Sequence, residues 1–439
     1  MNKIVSVLLA SFAVIPAFAQ EEKAWSLDDC IAYARENNIS VKQAQLSALS
    51  SEVDVTQSKA ALFPTLSFST SQQLGFQKVE SQDVATNTTG AKNPTYTGSY
   101  GINANVTLFN GGANWRTVKS SRLSHEADVL NAEKTANSIE QQIIRAYYQI
   151  LYAHEAVATN EEIVKVAEKE LTRTQELLKV GKGSKVDVAQ MESQYQQNQY
   201  SLVNARNTEA ADILALKQLL QLGTSDDFAI DYATYGTSDV MELIPSVEDA
   251  QAQALANLPD VKAAEVNVQV AEMQAKIAAG SYYPTLSLNG SVTTSNGNTY
   301  SGDFTQQVKD HLHETIGLSL SVPIWDGYKT KASVSKARYN VANAELNLAD
   351  TRLQLNNTIA DLHLDIQSAQ SRYQSAVTSE AAARESFELM EGRFNVGLES
   401  IIDLLTEKNK YLQAKQETLQ SKYTALLNLR LLDFYTGKQ

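Results

Sequence analysis

Cysteine is almost absent from this 439-residue chain, which has only Cys30. A single cysteine cannot form an internal disulfide, so the chain is not a disulfide-stapled scaffold. Glycine and proline are also sparse, at 19 and 7 residues, while Ala, Gln, Leu, Asn and Glu are plentiful, which favours long helices. The formal net charge of -13 argues against nucleic acid as a partner, because phosphate binding requires clustered Lys and Arg.

Long apolar runs are missing beyond the N-terminus. Lys3, the apolar stretch Ile4–Phe18 and the small-x-small site at Ala17–Ala19 predict a secretory signal peptide over residues 1–19. The alternative, a membrane anchor, is disfavoured because the run is shorter than the ~20 residues needed to span. No later apolar run is long enough to span a bilayer, so a chain that enters one must do so with strands.

Three short landmarks occur twice, in the same order and about 216–220 residues apart, and this regularity predicts a tandem duplication. The pairs are Phe63–Ser67 with Tyr283–Ser287, Val106–Gly111 with Val322–Gly327, and Val180–Asp187 with Val396–Asp403. We therefore expect a first repeat over 20–222, a linker over 223–245 and a second repeat over 246–439.

Each repeat has the same predicted elements. In the first, residues 26–62 favour one helix, which Pro64 ends. Alternating apolar and polar residues on either side of a polar stretch, about Val79–Thr97, then indicate a β-hairpin. From about Ala113 to Val180 the helical pattern runs without proline, about 100 Å at a rise of about 1.5 Å per residue. A glycine turn at 180–183 leads to a helix from Ser184 to about Leu222.

The second repeat follows the same plan. A helix over 246–281 is interrupted at Pro259, and two alternating strands flank an Asn/Gly/Ser-rich loop at 295–311. A long helix at about 328–394 and a last helix at about 400–434 follow. The last helix carries a seven-residue row typical of coiled coils: Leu405, Leu412, Leu419 and Leu426.

The strands and the long helices both need partners. Single-chain membrane barrels need about eight or more strands, and an open sheet edge is not tolerated in lipid. Long helices with narrow apolar stripes also need partners along their length. Several copies that share one barrel and one helical tube satisfy both requirements. The apolar strand faces would meet lipid, with Phe109 and Trp325 in an aromatic girdle; a soluble β-sandwich is the alternative for the strands alone.

The chain resembles the TolC-like outer-membrane efflux protein family over essentially its whole mature length. The residues that carry the resemblance are Phe63–Leu66 with its echo Tyr283–Leu286, the corners Leu108–Gly112 and Val322–Gly327, and the turns ending in Asp187 and Asp403. The resemblance implies a homotrimer in which each protomer adds four antiparallel strands to a 12-stranded barrel in the outer membrane. A long α-helical coiled-coil barrel would continue it into the periplasm. It further implies a passive exit duct that works with a periplasmic adaptor protein and an inner-membrane transporter in efflux or type I secretion.

The same resemblance indicates which residues gate the periplasmic aperture. Asp403 aligns with one acidic ring of the family, while Thr406 stands where a second aspartate is found. Glu399 and Phe394 replace a gating arginine and tyrosine, and Asp187 matches the aspartate that those groups bind, so the family's lock cannot form as such.

Other interpretations of the turns stay open. Helix capping is the alternative role for both Asp187 and Asp403. Gly181 and Gly397 are turn-formers that are also expected at the adaptor contact.

No enzyme or cofactor site is expected from the sequence. His311 and His313 lie beside a polar loop without a third metal ligand, and no Ser/His/Asp pattern or phosphate-binding glycine loop is found. The alternative to a duct is a periplasmic coiled-coil scaffold or adaptor without a pore, which the alternation of two helical hairpins with four amphipathic strands disfavours.

Overall fold

The computed structural model describes residues 24–76, 94–223, 227–396 and 398–438. The signal peptide predicted over 1–19 lies outside these residues. The helices are α1 Leu27–Asn37, α2 Ile39–Ala60, α3 Ala113–Lys179, α4 Lys185–Leu220, α5 Thr237–Val240, α6 Val247–Asn257, α7 Pro259–Gly280, α8 Phe304–Asp310, α9 Lys329–Asn395 and α10 Ile401–Thr436. The strands are β1 Thr65–Gly75, β2 Thr95–Asn110, β3 Thr285–Gly297 and β4 His313–Ser321.

The first predicted helix, residues 26–62, is wrong in one respect, because it breaks into α1 and α2 at Asn38. Asn38 is extended, with φ -62° and ψ 129°. Its amide Nδ2 donates to the carbonyl of Leu219 at 3.1 Å, and its Oδ1 accepts from the backbone N–H of Ser40 at 2.9 Å. The side chain thus caps α2 and holds the break.

The corresponding break in the second repeat is the predicted one. Leu258 is extended, with φ -72° and ψ 135°, and Pro259 opens α7 at the first helical position, where proline is favoured. Asn38 and Leu258 stand in equivalent positions of the two repeats, so the duplication includes this break although only one copy marks it with proline.

Both long helices are confirmed. Helices α3 and α9 each have 67 residues, and α4 and α10 each have 36. Ser184 and Ser400 cap the two shorter helices. Within the described residues, no helix combines the length and the hydrophobicity needed to cross a membrane.

The four strands form one antiparallel sheet in the order β1-β2-β3-β4. Both predicted hairpins are present, and β2 pairs with β3 to join the two repeats. Strand β4 ends at Ser321 although the apolar alternation of the sequence continues to Ile324, because Pro323 has no N–H to donate to the sheet. Register along β2 and β3 shifts between Thr107 and Phe109.

The pairing register separates the side chains into an apolar and a polar face. The apolar face carries Leu66, Phe68, Ile102, Val106, Leu286, Leu288, Val292, Ile316, Leu318 and Leu320. The polar face carries Ser67, Ser69, Gly101, Asn103, Asn105, Ser287, Asn289, Ser291, Ser319 and Ser321. On β4 the apolar face is open, with Ile316, Leu318 and Leu320 exposed by 85%, 65% and 64%.

The described residues fall into two compact units. One takes its residues from Met1–Lys42, Lys134–Leu258 and Gln354–Gln439, and the other from Gln43–Glu133 and Pro259–Leu353. The first has a hydrophobic core that includes Cys30, Ile143, Ile150, Leu216, Ile359 and Leu431. The second contains the sheet. Each unit contains segments of both repeats, so the repeat boundaries remain a prediction.

Two segments expected to be irregular are more ordered. The loop predicted at 295–311 contains α8, which Asp303 caps by accepting from the N–H of Gln306 at 2.8 Å. Within the expected linker 223–245, Ile230 and Val240 are buried in the core of the first unit. Trp25 and Ile230 form an isolated parallel bridge there.

Candidate functional site at the helix turns

The turn between α3 and α4 is built on Gly181 and Ser184. Gly181 has φ +75°, a conformation that favours glycine and ends α3. The Ser184 hydroxyl accepts from the N–H of Val186 at 3.1 Å, and its own backbone N–H donates to the Asp187 carboxylate at 3.1 Å. Asp187 therefore completes a capping box at the start of α4.

The turn between α9 and α10 repeats this arrangement. The Ser400 hydroxyl donates to the Asp403 carboxylate at 2.6 Å and accepts from the N–H of Asp403 at 3.3 Å. Asp403 is exposed. Gly397, expected at the adaptor contact, lies outside the described residues. Both aspartates thus have the capping role that was left open.

Glu399 has a partner that the sequence reasoning missed. Its carboxylate lies 2.6 Å from the guanidinium of Arg393, and its side chain is 21% exposed. Arg393 is at the end of α9, so the pair closes the turn between two helices. The charge of Glu399 is thereby balanced locally, and this leaves Asp403 as the more exposed acidic group of the turn.

Phe394 and Thr406 are both engaged in local structure. Phe394 packs against a hydrophobic cluster, here called the tip cluster, formed by Leu171, Met191, Phe387, Ile401 and Leu404. The Thr406 hydroxyl donates to the carbonyl of Ile402 at 2.8 Å. The tip cluster takes residues from α3, α4, α9 and α10, so it joins both turns into one apolar core.

A buried ion pair close to the tip cluster is the main feature that sequence reasoning missed. The Lys408 ammonium on α10 lies 2.6 Å from the carboxylate of Glu170 on α3. The two side chains are 2% and 10% exposed. The second oxygen of Glu170 is buried and has no hydrogen-bond partner among the described residues. Burying two charges costs several kcal/mol per ion before their attraction is counted.

Two further pairs continue this contact along the same helices. Lys415 lies 2.6 Å from Glu162, and Lys422 lies 3.0 Å from Glu155. The hydrogen bond from Lys415 lowers the pKa of the Glu162 carboxyl. We call the three contacts the Lys–Glu ladder. The seven-residue spacing of Lys408, Lys415 and Lys422 is visible in the sequence, but their partners are not.

The other polar candidates are packed locally. His311 stacks on Tyr300 with ring centroids 4.2 Å apart, and His313 is exposed. In the parts of the chain that the structure describes, no three His, Cys, Asp or Glu side chains are grouped as metal ligands.

Comparison with known proteins places the chain in a family. The family described as outer membrane efflux protein matches residues 30–221 and 251–438. The outer membrane protein TolC of Escherichia coli K12 is 23% identical over 290 residues, which cover 64% of this chain and 58% of that protein. The toxin and drug export protein A of Aggregatibacter actinomycetemcomitans is 22% identical, with 77% of this chain and 72% of that protein covered.

Solved structures show the same fold. The structure of CusC has a TM-score of 0.81 at 16% identity, with 97% of this chain and 95% of that chain covered. The outer membrane protein VceC of Vibrio cholerae has a TM-score of 0.79 at 17% identity, with coverage of 94% and 96%. The family description and the relatives named outer membrane protein confirm the predicted outer-membrane location, and a family of efflux proteins agrees with the prediction that the protein is not an enzyme. The chain belongs to the outer membrane efflux protein family.

Proposed function

We propose that this protein is the outer-membrane exit duct of a tripartite efflux or type I secretion system. The observation that carries the proposal is the four-stranded sheet with one exposed apolar face and one face of Ser, Asn, Thr and Gly. An apolar outside and a polar inside are what a water-filled barrel in lipid requires.

Three copies of the chain close the barrel by pairing their edge strands. Within the described residues, β1 and β4 each pair along one side only, and an unpaired edge in lipid leaves backbone groups unsatisfied. A homotrimer supplies 12 strands, above the minimum of about eight. The helices then form the periplasmic part of the duct, and the repeats over 20–222 and 246–439 each contribute one strand pair and one helical hairpin.

The helix turns are the proposed periplasmic end of the duct. Three Asp403 carboxylates around one axis raise the local negative potential and favour cations. Asp187 adds a carboxylate at the turn between α3 and α4, Arg393 balances the charge of Glu399 at the turn between α9 and α10, and Phe394 and Thr406 hold the local packing. The turns that contain Gly181, which is exposed, and Gly397, which lies outside the described residues, are the proposed contact with the periplasmic adaptor, which in turn binds an inner-membrane transporter.

Single-channel conductance in planar bilayers tests this proposal. We expect a small, cation-selective conductance for the wild type and a loss of selectivity for both Asp403→Ala and Asp403→Asn. Ser400→Ala is the matched control, because it removes the cap but keeps the carboxylate, and it should stay cation-selective. Selectivity unchanged in both Asp403 variants would move the constriction elsewhere, with Glu399 next.

The alternative function is a periplasmic coiled-coil scaffold without a pore. A scaffold stays soluble without detergent and forms no channels. Absence of conductance from well-folded, detergent-purified protein would overturn the duct and favour the scaffold.

A further inference from the structure

Helix α8 lies on the apolar face of the sheet. Tyr100 and Thr294 are register partners, and they follow Ile102 and Val292 on that face. The Thr294 hydroxyl donates to the carbonyl of Val308 in α8 at 2.7 Å. The ring of Phe304 meets Tyr100 edge to face, with centroids 6.2 Å apart and planes at 89°.

The segment is held firmly by Gln307, whose side chain is 7% exposed. Its Oε1 accepts from the N–H of Gly297 at 2.9 Å. Its Nε2 donates to the carbonyls of Tyr300 at 3.1 Å and Gly302 at 2.9 Å. Because every polar atom of this amide is satisfied, α8 is a fixed part of the sheet rather than a loose loop.

The position of α8 coincides with the end of the apolar rows. On β4 the residue that follows Ile316 on this face is Glu314, which is exposed and pairs with Val292. Beyond Thr294 the face continues on β3 with Asn296, whereas on β1 and β2 the pair Leu74 and Tyr96 still follows on this face. On β3 and β4 the boundary between apolar and polar surface therefore passes through the level at which α8 packs.

Helix α8 and its flanks combine groups that favour such a boundary. Phe304 and Leu312 are 55% and 51% exposed, next to the exposed Lys309. Aromatic rings, apolar side chains and lysines that extend their ammonium to water are enriched where a bilayer meets water. On a surface that faced only water, two large apolar side chains beside an apolar sheet would stay uncovered.

We infer that α8 is an interfacial element that binds the headgroup layer of the bilayer, with Phe304 and Leu312 inserted at the boundary with the acyl chains. This inference rests on the proposed function, in which the apolar face meets lipid. Helices α7 and α9 join the sheet at its opposite end, at Thr285 and Ser321. With those helices in the periplasm, α8 lies at the outer leaflet.

Depth measurement by fluorescence quenching tests the inference. A bimane label is placed on Phe304→Cys, Leu312→Cys, Ile316→Cys and Ser319→Cys. Cys30 is fully buried, so it does not take the label in the folded protein. The full chain is reconstituted into vesicles of phosphatidylethanolamine and phosphatidylglycerol that carry a nitroxide either on the headgroup or in the middle of the acyl chain.

We expect labels at Phe304 and Leu312 to lose fluorescence with headgroup nitroxide and to lose less with acyl-chain nitroxide. The label at Ile316 should show the reverse, and the label at Ser319 should be quenched by neither. If Ile316 responds to the acyl-chain nitroxide while Phe304 and Leu312 respond to neither, the inference about α8 is overturned and the duct stands. If Ile316 also fails to respond, the lipid-facing sheet itself is wrong. Two label sites on the α8 segment keep the test valid if one variant does not fold.

Discussion

At the scale of single residues, the pair of Lys408 and Glu170 has the largest expected effect on stability. Lys408→Met leaves the Glu170 carboxylate buried without its partner, and breaking a buried pair in this way costs about 3–5 kcal/mol. Urea unfolding in detergent measures the loss. The double variant Lys408→Met with Glu170→Met should recover most of it, because a well-packed apolar pair replaces both charges.

The matched control is Lys415→Met on the same helix. Its partner Glu162 is 66% exposed, so water solvates the remaining carboxylate and the expected cost is at most about 1 kcal/mol. Equal losses for Lys408→Met and Lys415→Met would contradict the assignment of Lys408 as the buried member of the ladder.

Asp212 is expected to make stability depend on pH. Burial raises the pKa of this carboxyl above its ordinary value of 3.8, opposed in part by a hydrogen bond from Gln149, and one of its oxygens is buried without a partner among the described residues. The native state then binds more protons than the unfolded state just above the ordinary pKa, so stability falls as pH rises through that window.

Asp212→Asn removes this penalty. We expect the variant to be more stable than the wild type at neutral pH, with a difference that shrinks as the pH falls toward 3.8. Thermal unfolding across pH measures it, and Asp365→Asn on an exposed face of α9 is the control for loss of a charge. A difference that does not change with pH would refute the role of Asp212.

Which residue roles are predictable depends on how local the interaction is. Capping was predicted as an alternative role for Asp187 and Asp403, because a serine followed three residues later by an aspartate is a local sequence signal for a helix N-terminus. The pair of Arg393 and Glu399 crosses a turn and was not recognised. Lys408 and Glu170 are 238 residues apart, and nothing in the neighbourhood of either residue indicates its partner.

At the scale of elements, substitutions of two glycines at helix ends distinguish the energetic cost of backbone strain from the cost of a steric clash. Gly111 and Gly181 have φ of +66° and +75°. A Cβ on Gly111 would lie 2.4 Å from the carbonyl oxygen of Gly280, whereas a Cβ on Gly181 would have nothing within 4 Å. Gly181→Ala should cost about 1–2 kcal/mol, from the left-handed conformation alone, and Gly111→Ala should cost clearly more. Equilibrium unfolding of both variants measures the two losses of stability. A smaller loss for Gly111→Ala than for Gly181→Ala would show that the end of α7 at Gly280 moves to accommodate the added Cβ at little cost.

The elements themselves were largely predictable, and the exceptions have physical causes. Long periodic stretches without proline predicted the bounds of α3 and α9 to within about one residue. The break at Asn38 was missed because asparagine ends a helix only when its side chain finds partners, here Leu219 and Ser40. Helix α8 was missed because polar residues on either side of it indicate a loop, although Asp303 before Phe304 is a capping signal.

At the scale of the whole molecule, the two faces of the sheet predict opposite responses to charge. Leu318→Lys places an ammonium at the centre of the apolar row of β4 and should cost about 2–4 kcal/mol near the middle of the bilayer. Ser319→Lys, on the polar face of the same strand, should be tolerated. Folding yield into lipid vesicles compares the two variants. Similar yields would contradict a lipid-facing apolar surface.

The Lys–Glu ladder also limits how α10 can slide along α3. Its lysines recur every seven residues, and its glutamates are separated by seven and eight residues. A shift by one heptad would therefore bring Lys422 to Glu162 and Lys415 to within one residue of Glu170. Periodicity alone therefore specifies the correct alignment only weakly. The pair of Lys408 and Glu170 is 2% and 10% exposed and is more buried than the other two pairs. The three pairs therefore do not contribute equally to stability. A shift of α10 along α3 would remove Lys408 from its buried site. The difference in burial between this pair and the other two therefore specifies a single register between α3 and α10.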